Sequence, residues 1–201
     1  MKPRSPEITY IVSAYNRPRL LRVILAALWV QTHENFEVIV TDNADDPEIR
    51  YLHQAEVREL SDDRFRYMLT AGKTKVSDCY WSAEYAAKRA NGAWLCFPCD
   101  DTYLVPEFGE RMLMAGLLNH WDLVICGNAI VGPECNGHIG YKPWEMEPRK
   151  ASKTTMLIRR EVFPGFTGKL HMNGAVLADY HLSGSIPNCG VLREQYMVVH
   201  L

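Results

Sequence analysis

Two short apolar runs rich in β-formers, Ile8-Thr-Tyr-Ile-Val-Ser13 and Phe36-Glu-Val-Ile-Val-Thr41, are separated by a single segment of helical period. Within that segment Leu20, Ile24 and Leu28 recur at i, i+4 and i+8, and Pro18 stands in the first turn, where proline is tolerated. A strand–helix–strand unit of this kind places its two strands parallel and side by side. The pattern repeats: a polar helix over Pro47–Leu60, a strand over Arg64–Leu69, a helix capped by Ser77 and ending near Asn91-Gly92, a strand over Trp94–Phe97, a helix over Val105–Asn119 and a strand over Asp122–Asn128. Alternation of this kind over the first ~130 residues predicts an α/β fold with a mostly parallel central sheet flanked by helices.

After that the character changes. Gly132–Lys150 carries Gly, Pro, Asn and Trp with little periodicity and reads as a long surface loop. Thr154–Ile158 and Gly190–Val199 read as strands, and Asp179 opens a short, helical stretch between them. With 201 residues, 47% of them hydrophobic, the chain can build one well-packed domain.

An open α/β sheet binds ligands at the C-terminal ends of its strands, so polar residues there cluster whatever their separation in sequence. The first strand ends in Ser13-Ala14-Tyr15-Asn16, the second in Asp42-Asn43, the third leads to Gly72-Lys73, and the fourth runs through Leu95-Cys-Phe-Pro-Cys into Asp100-Asp101. Adjacent carboxylates at a strand end repel each other unless a cation lies between them, and hard oxygen ligands suit Mg²⁺ or Mn²⁺, usually shared with substrate phosphates. One mouth thus collects an aromatic ring, acidic groups and a lysine, which suits a nucleotide: a ring contact, polar partners for base and ribose, and a metal with Lys73 for phosphates. Taken singly, each has a plainer reading. Asp42-Asn43-Ala-Asp45-Asp46-Pro47 makes a turn and helix cap, and Lys73 alone is a solvated surface lysine.

Other features exclude function classes. Lys plus Arg number 22 against 24 acidic residues, so no basic surface advertises nucleic acid. No apolar run approaches the roughly 18–20 residues of a membrane span, and Met1–Glu7 lacks the apolar core of a signal peptide. These features point to a cytoplasmic protein and leave peripheral membrane contact open. The six cysteines do not form a disulfide framework and read as reduced thiols. Cys96-Phe-Pro-Cys99 has C-x-x-C spacing, but it lacks a second pair and Cys96 sits in an apolar strand, which reads as core packing. His33, His53, His120, His138, His171 and His181 show no metal-ligand spacing, although the last two flank Asp179. Tyr141 and Trp144 lie in the long loop, where an aromatic ring either stacks on a sugar or anchors the loop.

The runs Ile11-Val-Ser-Ala-Tyr-Asn-Arg-Pro-Arg-Leu-Leu21 and Gln31-Thr-His-Glu-Asn-Phe-Glu-Val-Ile-Val-Thr-Asp42 resemble the opening of family 2 glycosyltransferases. Ala90-Asn-Gly-Ala-Trp-Leu-Cys-Phe-Pro-Cys-Asp-Asp101 resembles the family's Gly, apolar strand and Asp-x-Asp-type metal motif, Thr154–Phe163 its later strand, and Tyr196-Met-Val-Val-His200 its closing segment. The resemblance spans nearly the whole chain and implies a single GT-A-type, Rossmann-like domain that transfers a sugar from a nucleoside-diphosphate sugar to an acceptor hydroxyl with inversion, helped by Mg²⁺ or Mn²⁺. A UDP-sugar is the favoured donor, and a place in polysaccharide biosynthesis is implied. Residues 1–128 would form the nucleotide-sugar-binding half and residues 129–201 the acceptor-binding, catalytic half.

By the same resemblance Ser13, Ala14 and Tyr15, with Asp42 and Asn43, hold the base; Lys73 lies near base or phosphate; Asp100 meets ribose or metal; Asp101 binds the metal; His200 is a further metal or phosphate ligand; and Asp179 is the general base. The chain departs from the family in having Asn43 for the usual second Asp, Cys99 for a frequent acidic residue, and Ala178 before Asp179 where Glu or Gly is common. Two other functions compete: a nucleotidyltransferase of related fold, against which the absence of a Gly-rich loop after the first strand argues, and a non-catalytic nucleotide-sugar or glycan binder, against which retention of Asp100, Asp101 and Asp179 argues.

Overall fold

The computed structural model describes residues 5–70, 79–131, 139–141, 152–166, 182 and 184–200. In chain order the elements are β1 (Ile8–Ala14), α1 (Pro18–Trp29), β2 (Phe36–Asp42), α2 (Pro47–Glu59), β3 (Phe65–Leu69), α3 (Cys79–Ala87), β4 (Trp94–Cys96), β5 (Thr102–Leu104), α4 (Phe108–Leu118), β6 (Leu123–Val131), β7 (Ile139–Tyr141), β8 (Met156–Arg159) and β9 (Cys189–His200). One sheet holds all nine strands in the order β3-β2-β1-β4-β8-β6-β9-β5, with β7 attached to β6. The half β3-β2-β1-β4 is parallel throughout. Beyond it β8 runs antiparallel to both β4 and β6, and β9 runs parallel to β6 over most of its length. Counted by paired residues the sheet is mostly parallel and helices flank it, as the sequence pattern predicts.

β1 is buried at all seven positions, as a central parallel strand must be when both faces of its sheet are covered. Its alternate residues Ile8, Tyr10, Val12 and Ala14 pack with Leu21, Ile24 and Leu28 of α1 and Phe108 and Met112 of α4. Ile11 points the other way, with Ile39 and Leu95, against Tyr80, Ala83 and Ala86 of α3. The close seat of α4 on the sheet needs Gly116: a Cβ there would come within 2.7 Å of the Trp94 ring. Gln31 locks the end of α1 to the start of α4. Its Nε2 donates to the Val105 carbonyl at 2.8 Å, and its Oε1 accepts from the Gly109 N–H at 3.0 Å.

Three boundaries differ from the sequence reading. β5 interrupts the path from Asp101 to α4, because Thr102–Leu104 finds an antiparallel partner in the tail of β9, nearly a hundred residues later. β7 lies inside the stretch expected to be loop throughout: β6 runs on to Val131 and offers a paired edge to Ile139–Tyr141. Lys153–Thr155 forms a 3-10 turn, so β8 starts at Met156. Cys96 and Cys126 are fully buried free thiols in β4 and β6, as core packing requires. Among the described residues, no helix is long and apolar enough to cross a membrane.

Candidate functional site

β1, β2 and β4 end at one edge of the sheet, and the segments beyond them are tied together by backbone hydrogen bonds. Ser13 N–H donates to Pro98 O at 3.2 Å, Asp100 N–H to Ser13 O at 3.1 Å, and Asn43 N–H to Ala14 O at 3.1 Å. Ser13, Ala14, Tyr15, Asp42, Asn43, Asp100 and Asp101 are therefore brought together as expected. Lys73 and Asp179 lie outside the described residues. The backbone of His200, in β9, pairs with Thr102, the residue after Asp101.

At the end of β4 the chain collects charge. The Tyr15 N–H donates to Asp100 Oδ2 at 2.8 Å. Asn16 then takes a left-handed backbone, φ 53°, which Asn tolerates better than most residues. The turn brings Arg17 over both carboxylates. Its Nη2 lies 2.7 Å from Asp100 Oδ1 and its Nη1 2.5 Å from Asp101 Oδ2. The Asp100 side chain is 1% exposed, that of Asp101 14% and that of Arg17 45%. Burial pushes the Asp100 carboxyl above its usual range; the Tyr15 N–H and Arg17 oppose this, the Asp101 charge reinforces it, and the net shift is upward. One guanidinium thus bridges two neighbouring carboxylates and offsets part of their mutual repulsion.

At the end of β2 the chemistry is closed. Asp42 is fully buried. Its Oδ1 accepts from the Ala44 N–H at 2.8 Å, and its Oδ2 from the Tyr67 hydroxyl at 2.7 Å, with His53 Nδ1 3.0 Å away. Burial alone would raise this carboxyl, but the bonds from His53, Ala44 and Tyr67 outweigh it and hold Asp42 below the ordinary carboxylate range. The same carboxylate raises the Tyr67 hydroxyl, after burial the larger cause. Asn43 is equally engaged: its Nδ2 donates to Ser82 Oγ at 2.7 Å and its Oδ1 accepts from Thr70 Oγ1 at 2.7 Å. Asp46 accepts from the Glu48 N–H at 2.8 Å and caps α2 ahead of Pro47, which is the turn-and-cap reading of this stretch.

Arg17, His53, Tyr67, Thr70 and Ser82 were not singled out for this site by sequence. His53 carried a faint signal: it shares the buried face of an otherwise polar helix with Val57, one turn on. Arg17 carried one too, standing two residues after Tyr15 at the edge that holds the acidic pair.

The donor set at β4 fits a hard divalent cation, being carboxylate oxygen from adjacent residues. Among the described residues, no group of three or more His, Cys, Asp or Glu is placed to hold a metal ion.

A sequence model of the family described as "Glycosyl transferase family 2" matches residues 9–178. A protein of Haemophilus influenzae named "Uncharacterized glycosyltransferase" is 27% identical over 107 residues, 53% of this chain and 33% of that protein. The crystal structure of S. aureus TarS 1-349 superposes with a TM-score of 0.75 at 17% identity, covering 96% of this chain and 60% of the other. The same protein in complex with UDP-GlcNAc gives 0.74 at 18%, covering 96% and 58%. The mannosyltransferase PcManGT from Pyrobaculum calidifontis, in complex with GDP-Man and Mn²⁺, gives 0.74 at 16%, covering 98% and 57%. At these identities the likeness is one of fold, and the fold is the GT-A type expected from the sequence. The chain matches a third of the curated relative's length and under two thirds of each of these structures.

Proposed function

The chain belongs to glycosyl transferase family 2, and on that premise we propose that it transfers a sugar from a nucleoside-diphosphate sugar to an acceptor hydroxyl, with a divalent cation and with inversion at the anomeric carbon. The observation that carries the reading is the carboxylate pair Asp100–Asp101 at the end of β4, bound to the Tyr15 segment and bridged by Arg17. The fold neighbours lend support: one is in complex with UDP-GlcNAc and another with GDP-Man and Mn²⁺.

In this proposal Ser13, Ala14, Tyr15, Asp42, Asn43 and Lys73 form the base and phosphate side of the donor pocket. Asp42 and Asn43 are its rigid backing, because their polar atoms are committed to Ala44, Tyr67, His53, Thr70 and Ser82. Tyr15, 44% exposed, is the ring available to stack on the base. Asp100, Asp101 and His200 would hold Mg²⁺ or Mn²⁺, which when bound supplies Lewis-acid stabilisation of the leaving diphosphate. The Tyr15 N–H fixes the Asp100 carboxylate, so the nucleotide segment and the acidic pair stay in register and little reorganisation is needed as charge develops. Asp179 takes the proton from the acceptor hydroxyl, and one base opposite one leaving group gives inversion. The halves 1–128 and 129–201 then divide donor from acceptor. A hexose is the proposed group transferred, a UDP-sugar the favoured donor, and a carbohydrate the proposed acceptor.

Thermal shift with UDP and GDP, each with and without Mn²⁺, tests the reading: one nucleotide should raise Tm, and only with the cation. No shift with either nucleotide under either condition would contradict it. For the base, Asp179→Asn should lower turnover about 10²–10⁴-fold while leaving donor binding intact. A near-parental rate would remove Asp179 from that role.

A further inference from the structure

Resting on the nucleotide-sugar reading, we propose that Arg17 is an exchangeable counter-ion: its single charge bridges Asp100 and Asp101 while no donor is bound, and passes to the donor's diphosphate when a divalent cation takes the two carboxylates. Three observations carry this. First, a single guanidinium sets its two Nη atoms on two different residues, at 2.7 Å from Asp100 and 2.5 Å from Asp101. Those oxygens are the hard donors a divalent cation needs, so the two positive groups compete for the same atoms. Second, the two ends of the Arg17 segment are held differently. The backbone just before it is pinned to Asp100 through the Tyr15 N–H at 2.8 Å, whereas the Arg17 side chain is 45% exposed. The base of the arm stays while its tip can turn. Third, Arg17 is the residue just ahead of α1, three residues beyond the end of β1 where the diphosphate would lie, and the planar fork of a guanidinium matches phosphate oxygens as well as it matches carboxylates.

The charges explain why exchange serves this site better than a fixed pair. Two carboxylates 1% and 14% exposed need a positive partner at all times. A cation arriving alone must eject Arg17 towards water, with no anion to receive it. A cation arriving with a diphosphate brings the new partner for Arg17 with it. Arg17 therefore couples metal binding to nucleotide binding and disfavours capture of free cation, a coupling that is reciprocal by thermodynamic necessity.

The test uses the whole chain and two probes, Mn²⁺ alone and UDP or GDP with saturating Mn²⁺, measured by isothermal titration on the parental protein, Arg17→Gln and Arg17→Lys. Circular dichroism confirms that each variant is folded. Arg17→Gln should bind Mn²⁺ alone about three- to tenfold more tightly, because the competing charge is gone, and bind the nucleotide with Mn²⁺ about tenfold more weakly, because the fork on the diphosphate is gone. Arg17→Lys, which keeps the charge, should bind Mn²⁺ alone within about twofold of the parental protein. The proposal is overturned if Arg17→Gln leaves Mn²⁺ affinity unchanged or weaker, if nucleotide affinity does not fall, or if Arg17→Lys gains Mn²⁺ affinity as much as Arg17→Gln. A parental protein that binds neither nucleotide in the presence of Mn²⁺ fails the donor reading instead. The Mn²⁺-alone comparison judges the displacement of Arg17 separately.

Discussion

Asp42 and Asp100 stand at the ends of strands in the same parallel half-sheet, close enough for the β1 segment between them to bond to both regions, yet they are held in opposite ways. Asp42 takes its partners from inside the fold: the Ala44 N–H, the Tyr67 hydroxyl and the His53 imidazole, all within 3.0 Å. Asp100 takes one backbone N–H and a guanidinium that reaches in from the surface. The first carboxyl is held below its usual range and the second is pushed above it. A buried carboxylate whose partners are all internal is a structural device, because its bonds are worth most when nothing competes for them. A buried carboxylate whose charge partner is exposed is placed to trade that partner for a ligand, as proposed for Asp100. The difference lies in where the partners are anchored rather than in burial, since both side chains are almost wholly hidden.

Substitution at the two ends should separate these roles. Asp42→Ala leaves the Ala44 N–H and the Tyr67 hydroxyl without an acceptor and removes the neighbour of the buried His53 ring, and should cost about 3–5 kcal/mol in urea unfolding. A loss below 1 kcal/mol would break the contrast. The pH dependence of unfolding sharpens it. The folded-state pKa of Asp42 is depressed, so its contribution is present above the unfolded value, about 3.9, and is lost as pH falls through the folded value. Asp42→Asn should therefore flatten the fall in stability below about pH 4 relative to the parental chain, and parallel curves for the two proteins would contradict this. Tyr67→Phe removes one of the two hydrogen bonds and should cost about 1 kcal/mol. At the other site Arg17→Gln should cost less than Asp42→Ala, because solvent reaches the guanidinium and screens the pair; a loss as large as that of Asp42→Ala would contradict the contrast.

Sequence made the parallel half legible because its strands announce themselves locally. The seven-residue apolar runs of β1 and β2 and the helical spacing of Leu20, Ile24 and Leu28 need no distant partner to be recognised. β5 and β7 are three residues each and exist because β9 and the end of β6 pair with them, and no local pattern carries that information. The site divides the same way. Asp100-Asp101 and Tyr15 follow from strand-end position. The roles of His53 and Tyr67 depend on α2 and β3 converging behind Asp42, and that of Arg17 on a left-handed Asn16 that turns the chain back over β4. The side-chain partners, which decide whether an aspartate is structural or exchangeable, are set by tertiary contact.

The most direct test of the account is isothermal titration of UDP and of GDP, each with Mn²⁺, into the parental chain and Asp101→Ala. The account predicts that the parental protein binds one of the two nucleotides with the cation and that Asp101→Ala loses that binding, while its thermal unfolding stays close to parental. Nucleotide affinity unchanged in Asp101→Ala would contradict the assignment of the β4 carboxylates to a metal–diphosphate site.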